Sequence, residues 1–331
     1  MKVLFIGGTG LISEAVSRLA VKEDIQLFLF NRGRRPEFIP DEAVLIEGDI
    51  RKKNEAAEKL KDYEFDVVVN WIGFTPDHIK TDLELFRGKT SQYIFISSAS
   101  AYQKPPTDYL ITEATPLANP HWEYSRNKIA CEKILLDEYR KNQFPVTIVR
   151  PSHTYGKTSI PSALNSSTHP WTLVDRMRRG KKIVVHGDGT SLWTMTHNTD
   201  FARAFIGLLG NSKAIGHAFH ITSDEVLNWN QITRFIGMAA GVSPDIVHVS
   251  SDFIIKFAPE MKGSLIGDKA CSVVFDNSKI KRFVPGFRAK TPFSRGIQQS
   301  INWFEEHPEM CTIDQQWNQL MDKIIEAAFE I

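Results

Sequence analysis

Tyr124 and Lys128 stand four residues apart in Glu123-Tyr124-Ser125-Arg126-Asn127-Lys128, a stretch without Gly or Pro whose later apolar positions, Ile129, Ile134 and Leu135, predict a helix. On a helix that spacing puts a phenol and an ammonium on one face. Asn119-Pro120 reads as an N-cap and first helical residue, which places Tyr124 in the second turn, near the positive end of the helix dipole. Both effects favour phenolate. The chemistry that uses such a pair is removal of a hydroxyl proton while a hydride leaves the same carbon. A free tyrosine has a pKa of about 10, so a base near neutrality needs a shift of about 3 units, or roughly 4 kcal/mol of charge stabilisation. Lys128 supplies part of it, and a cationic nicotinamide ring nearby would supply more. Ser98, in Ile96-Ser97-Ser98-Ala99-Ser100-Ala101-Tyr102, is placed to hold the substrate oxygen in line. Tyr-x-x-x-Lys alone is a common accident of helix surfaces, so the surrounding elements decide its meaning.

At 331 residues, 42% hydrophobic and 24% charged, the chain can bury a full core, and its length suggests two domains or one large and one small. The net charge of +1 gives no electrostatic case for nucleic acid or an anionic membrane. Cys131, Cys271 and Cys311 are far apart, odd in number and without a nearby His or Cys at metal spacing, which points to reduced thiols and no metal site. The apolar stretch Val3 to Ile6 meets glycine before it can become a signal segment, and no run approaches bilayer length. A cytoplasmic protein with no membrane partner is the expectation.

What must position Tyr124 and Ser98 is a series of strands. Val3 to Ile6 runs into Gly7-Gly8-Thr9-Gly10-Leu11-Ile12-Ser13, then a helix with Ala15, Val16, Leu19 and Ala20 on its apolar side, then a buried strand, Gln26 to Phe30. This is the context of a dinucleotide fingerprint, in which glycines let the backbone close on a pyrophosphate at the helix N-terminus. Ser13 stands where a third glycine is usual, and either touches phosphate or is simply tolerated in the first turn. An NAD site usually carries an acidic residue after the second strand. This chain has Asn31-Arg32-Gly33-Arg34-Arg35, so NADP is favoured over NAD, the other reading being a solvated loop with Arg32 stacked on adenine.

The alternation continues. Val44-Leu45-Ile46 ends at Gly48-Asp49-Ile50, where Asp49 comes within reach of the adenine amino group. A charged helix (Lys52 to Lys61), a strand (Asp66 to Val69) ending in Asn70-Trp71-Ile72-Gly73-Phe74, a helix (Pro76 to Phe86) and the strand Tyr93 to Ile96 follow. The repeat predicts an α/β fold, a doubly wound parallel sheet whose ligands sit at the carboxyl ends of the strands. Gly7 to Gly10, Asn31-Arg32, Asp49, Gly73 and Ser98 all fall on that edge.

Together these residues resemble the extended short-chain dehydrogenase/reductase superfamily, in its NAD-dependent epimerase/dehydratase branch, over nearly the whole chain. The resemblance rests on Gly7-x-x-Gly10, Gly48-Asp49-Ile50, Ser97-Ser98 with Tyr102 beyond it, Tyr124-x-x-x-Lys128 and Val149-Arg150-Pro151-x-x-x-Tyr155-Gly156. It continues in Gly187-Asp188-Gly189 with the later Asp200, in Asp276-x-Ser278-Lys279 and in a closing helix, Phe293 to Trp303. It implies a Rossmann domain over residues 1–170, with segments near 183–221 crossing back, and a smaller α/β substrate domain over 171–331. It implies Tyr124 as acid/base, Lys128 as its pKa modifier and ribose ligand, and Ser98 as donor to the substrate oxygen. Leu11, Ile12, Ile50, Trp71 and Pro151 join the cofactor residues. A homodimer through the helices Pro76 to Phe86 and Glu123 to Lys141 is implied in the same way.

Several departures bear on function. Dehydratases of this branch look like Thr-Asp-Glu where this chain has Ser98-Ala99-Ser100, so dehydration is disfavoured. Trp193 stands where the family commonly places an arginine on the substrate pyrophosphate, and indole does not replace a bidentate phosphate clamp. Trp193 either stacks on a sugar or aromatic ring or belongs to the core. His153, where many members have a substrate-binding asparagine, is either a second acid/base or a neutral hydrogen-bonding group. Ser100 and Tyr102 complete the candidate substrate residues. Arg176, Arg178, Arg179, Lys181 and Lys182 read as a solvated helix C-terminus in preference to a phosphate-facing patch. The expected activity is NAD(P)-dependent oxidoreduction or epimerisation at a secondary alcohol or ketone of a sugar or nucleotide-sugar-like substrate. The alternatives are a simple NADP-dependent carbonyl reductase of a non-nucleotide substrate, and a catalytically weak NADP-sensing or RNA-associated binding protein on the same fold.

Overall fold

The computed structural model describes residues 1–329. β1 (Lys2–Ile6) runs through the centre of the molecule, and Val3 to Ile6 are wholly buried because helices cover both faces of its sheet. α1 (Ser13–Lys22), β2 (Gln26–Asn31), β3 (Val44–Glu47), α2 (Lys53–Leu60), β4 (Phe65–Asn70), α3 (Pro76–Phe86) and β5 (Thr90–Ile96) follow in alternation. A two-residue strand, β6 (Leu110–Ile111), precedes α4 (Glu123–Asn142), β7 (Val146–Pro151) and β8 (His153–Tyr155). Next come α5 (Thr172–Arg178), β9 (Ile183–His186), β10 (Leu192–Trp193), β11 (Met195–His197), α6 (Asn198–Ile206) and β12 (Ala218–Ile221). β13 (Leu227–Asn228), α7 (Trp229–Ala239), β14 (Ile246–Val249) and β15 (Val274–Phe275) lead to the late helix Phe293–Glu306.

The main sheet has seven strands in the order β12-β7-β5-β4-β1-β2-β3, every pair parallel. Strand order reverses between β1 and β4, which opens the crevice where a doubly wound sheet takes its ligand. Phe201, Phe205 and Val16 of α6 and α1 seal one face, and Ile79, Leu83 and Leu135 of α3 and α4 the other. A separate apolar cluster on Trp171, Trp193, Trp229, Phe293 and Phe304 carries the later residues. Short strand pairs surround it: β9 with β14, β8 with β11, β10 with β13 and β6 with β15. The segment near 183–221 divides accordingly. β9 pairs away from the main sheet, whereas α6 packs on α1 and β12 forms the sheet's edge.

Two local expectations are corrected. α4 begins at Glu123 after Trp122, not at Pro120, because the Asn119 side chain is engaged elsewhere. Its Nδ2 donates to the backbone oxygens of Ser100 and Gly267, each at 2.7 Å, and its Oδ1 accepts from the His121 amide. Tyr124 therefore sits in the first turn. Arg176 is not part of a solvated helix end: its side chain is buried, donating to Lys182 O and paired with Asp322 at 2.5 Å, while Arg178 and Arg179 stay exposed.

Candidate active site

β5 ends at Ile96 and delivers Ser97 and Ser98 to the carboxyl edge of the sheet. Ser98 caps the short turn Ala99–Ala101, its Oγ accepting from the Ser100 amide at 3.2 Å. Ser98 Oγ lies 2.9 Å from Ser100 Oγ, which accepts from Ser125 Oγ of α4 at 2.8 Å. With Ser125 donating to Ser100 and Ser100 donating to Ser98, the Ser98 hydroxyl keeps its own proton to donate, to the Tyr124 oxygen or to a ligand. A cavity of about 270 Å³ collects Ser98, Ser100, Tyr124, Pro151, His153 and Trp193, residues from four separate stretches of the chain. Beneath them Arg150 binds Glu132 at 2.6 and 3.0 Å in a buried pair that also engages Ser97, fixing the ends of β5 and β7 against α4.

The charge state of the pair differs from expectation. Burial, foremost, raises the Tyr124 pKa above its ordinary value, with Ser98 pulling the other way and Asp268 adding to the rise. Lys128 is 1% exposed, and burial lowers its pKa to about 8. Its Nζ donates to Gly73 O and Ile96 O, each at 2.6 Å, and stands 5.7 Å from the centre of the Tyr124 ring. Desolvation thus outweighs the ammonium and the helix end, and the resting side chain is a neutral phenol rather than phenolate. Two of the three ammonium N–H groups are committed to backbone, leaving one uncommitted.

Some of the residues expected at the cofactor line a second cleft of about 300 Å³, bordered by Gly7, Thr9, Asn31, Arg32, Arg34, Arg35, Asp49 and Ile50. Gly7 (φ +103°) and Gly8 (φ +95°) hold backbone that L side chains rarely adopt, and a Cβ on Gly8 would lie 2.6 Å from Leu29 Cδ2. Asn31 Nδ2 donates to Gly7 O at 2.9 Å while its Oδ1 accepts from Gly33 N. Ser13 is buried, and its Oγ accepts from Gly10 N at 2.8 Å, so it closes the turn on itself instead of reaching out to phosphate. A glycine cradle beside a cationic cleft fits a dinucleotide phosphate.

Some expected residues lie elsewhere. Trp71 turns into the core, 5.5 Å from Phe5 and 4.9 Å from Phe205 between ring centres, and Ile72 and Phe74 line the cleft in its place. Ile12 likewise packs against the core, and Leu11 contributes its carbonyl to Asn198. Gly73 offers its carbonyl to Lys128. Tyr102, 1% exposed, lies under Arg150 with its hydroxyl 3.0 Å from His220 Nδ1, so it braces the floor and does not face substrate. Burial, and secondarily Lys269, lowers the His153 pKa to about 3, which favours the neutral hydrogen-bonding role; Trp193 Nε1 donates to its Nδ1 at 3.4 Å. Trp193 is a buried core residue, 5.3 Å from Trp229 between ring centres, and it also lines the cavity. Lys104, Asp268 and Lys269 line the same cavity, and no motif marked them. Arg51, Ile72 and Phe74 also line the second cleft, each adjacent in sequence to a residue expected at the cofactor, Ile50, Trp71 or Gly73.

A doubly wound sheet with a glycine turn on β1 and a Ser-Tyr-Lys arrangement at the neighbouring strand ends defines a dinucleotide-binding protein of the Rossmann class. The chain belongs to the NAD dependent epimerase/dehydratase family, whose model matches residues 3–222. It is 28% identical over 261 residues to the chloroplast stem-loop binding protein of 41 kDa b of Arabidopsis thaliana, covering 75% of this chain and 65% of that protein. The chain thus spans less than two thirds of that relative's length. It is 24% identical over 306 residues to the 2'-dehydrokanamycin reductase of Streptomyces kanamyceticus, covering 91% and 84% of the two chains. The solved dTDP-glucose 4,6-dehydratase of Bacillus anthracis in complex with NAD shares the fold, with a TM-score of 0.74 at 21% identity over 93% of this chain and 98% of that one. A dehydratase among the similar proteins leaves the case against dehydration resting on Ala99 and Ser100 alone. Among the described residues no helix is long and apolar enough to cross a membrane.

Proposed function

We propose that the chain is an NAD(P)-dependent oxidoreductase or epimerase acting on a secondary alcohol or ketone of a sugar or nucleotide-sugar-like substrate. The observation that carries this reading is the convergence of Ser98 and Tyr124 on one cavity, with Lys128 buried behind them. A bound nicotinamide dinucleotide supplies the hydride acceptor or donor. Ser98, its own lone pairs engaged by Ser100, donates to the substrate oxygen and orients the carbon that reacts. Tyr124 gives its phenolic proton to that oxygen when a ketone is reduced, and takes the proton back when the alcohol is oxidised. The neutral resting phenol suits the first direction. His153 and Trp193, hydrogen-bonded to each other, line the same cavity. Arg32, Arg34 and Arg35 in the second cleft support NADP over NAD.

A purified chain offered NADPH and a panel of keto sugars tests this. Tyr124→Phe is expected to lose about 10²- to 10⁴-fold in kcat with dinucleotide affinity unchanged. Turnover equal to wild type would remove Tyr124 from the chemistry. A product oxidised or reduced overall marks a dehydrogenase or reductase, and one at the original oxidation level marks an epimerase. The plant relative's name favours a second reading, a stem-loop RNA-binding protein on this scaffold. Net charge of +1 speaks against it, and salt-dependent retention of a hairpin RNA at micromolar protein would speak for it.

A further inference from the structure

The cavity beside Tyr124 holds more positive charge than its chemistry uses. Lys104 and Lys269 both line it, with Asp268 as the one carboxylate among its described lining residues. The Lys104 side chain is 2% exposed, with Nζ 3.4 Å from Asp268 Oδ1 and 5.9 Å from the centre of the Trp193 ring. Lys269 Nζ has neither a hydrogen-bond acceptor nor an ion-pair partner among the described residues, though Trp122, Trp193, Val273 and Phe275 make much of the wall apolar. Two ammonium groups against one carboxylate leave a net positive charge, and neutral His153 adds none.

Lys269 is also held in place. It closes a π-helical turn, Leu265–Lys269, and its carbonyl faces His186 Nε2 at 3.0 Å and accepts from Trp229 Nε1 at 3.1 Å. The same turn is tied to the serine loop, since Asn119 bridges Ser100 O and Gly267 O. The lysine is therefore registered against Ser98, not merely near it. Burial lowers its pKa, Asp268 opposing and Lys104 reinforcing the effect. A cation kept without a partner in such a cavity is a site whose charge balance a ligand completes.

We propose that Lys104 and Lys269 form an oxyanion subsite, so that the substrate carries a carboxylate or a phosphate close to the carbon that reacts at Tyr124. This rests on the reading of the cavity as a substrate site. It narrows the substrate to an acidic or phosphorylated sugar-like alcohol or ketone, and it places the charge on the sugar end of the molecule.

Calorimetric titration of the chain saturated with NADP tests it, using glucose, glucuronate, glucose 6-phosphate and inorganic phosphate as probes. At least one oxyanion probe is expected to bind about tenfold or more tighter than glucose, the gain of one charge-assisted hydrogen bond. Lys269→Met is expected to remove most of that preference and leave NADP affinity unchanged. Preference for glucuronate assigns a carboxylate, and preference for either phosphate probe assigns a phosphate. No preference above tenfold, or a preference that survives Lys269→Met, overturns the subsite. Lys104→Met is the second variant, read the same way, and Lys269→Met has no ion pair to break, so its folding is the safer of the two. Tyr124→Phe removes turnover on the reading above and leaves this charge preference intact. Failure of the acid/base and failure of the subsite are thus read by separate measurements.

Discussion

Lys128→Met separates what the buried ammonium does for the fold from what it does for the phenol. Methionine keeps the stem of the side chain and removes the charge and donors. Two stability effects oppose each other. The carbonyls of Gly73 and Ile96 lose partners at 2.6 Å, at about 1–3 kcal/mol each. Against that, lowering a lysine from 10.5 to about 8 by burial means the charged form costs about 3 kcal/mol in the fold, and the variant is relieved of it. The net loss is at most about 3 kcal/mol, within the usual margin of about 5–15 kcal/mol, so the variant is expected to fold.

The kinetic effect is larger in consequence. With the 5.7 Å from Lys128 Nζ to the centre of the Tyr124 ring taken as the charge separation, a unit charge interacts with a phenolate by about 3 kcal/mol at an effective dielectric constant of roughly 20, or about 2 pH units. Solvent reaching the half-buried Tyr124 screens part of this, leaving about 1 unit or more. The pH profile of kcat for alcohol oxidation is therefore expected to move its rising limb alkaline by about 1–2 units in Lys128→Met. Thermal melts across pH supply the companion readout. The folded-state pKa of Lys128 lies below the unfolded one, so the folded chain sheds this proton first and wild type gains stability from pH 8 to 10.5. The variant lacks that gain. Superimposable pH profiles would refute the electrostatic coupling, and parallel melting curves over that range would refute the buried charge.

Two further perturbations address the cofactor cleft and the sheet. Arg32→Ala is expected to weaken NADP by about 10- to 150-fold, one charge-assisted contact, and NAD far less; equal losses in fluorescence titrations would show that Arg32 makes no 2′-phosphate contact. Asp82 is wholly buried behind β4 and β5, its Oδ2 engaged by Tyr93 and Asn70, its Oδ1 without a partner, and burial raises its pKa to about 6. The folded state holds this proton more tightly than the unfolded state, so the group's contribution is complete below about pH 4 and lost as pH rises through 6, about 3 kcal/mol in all. Asp82→Asn is expected to flatten the chemical-denaturation stability profile between pH 4 and 7, and an unchanged slope there would sink the assignment.

What could be read from the chain, and what could not, divides by the range of the interactions. Pro76–Phe86 appears as written because its signals are local: Thr75 with His78 caps it, Pro76 sits at its first position, and Ile79 and Leu83 keep one face apolar. Buried parallel strands announce themselves as apolar runs, so β1 and β2 were legible as well. The start of α4 was not, because Asn119 looks like a cap and instead bonds residues 19 and 148 positions away. Trp71 failed for the same reason in reverse. The resemblance places it among the cofactor residues, and only the aromatic pair Phe5 and Phe205 explains why it turns inward.

The charge of Tyr124 was the subtler misreading. Spacing shows which cation is near a phenol, but it says nothing of how much water both have lost, and here that loss decides the sign. A second consequence follows from the same cavity. Trp193 in place of an arginine suggests a substrate side stripped of positive charge, yet Lys104 and Lys269 enter from two segments that no motif connects. Asn119 joins the Lys269 turn to the serine loop, and Lys104 pairs with Asp268 of that turn, so the charge on the substrate side and the hydroxyl that orients the reacting oxygen are held in one bonded frame. An anion bound by that frame would lie close enough to Tyr124 to oppose its ionisation further. The resting phenol then holds its proton more tightly, so the acid form stays populated but is a weaker proton donor.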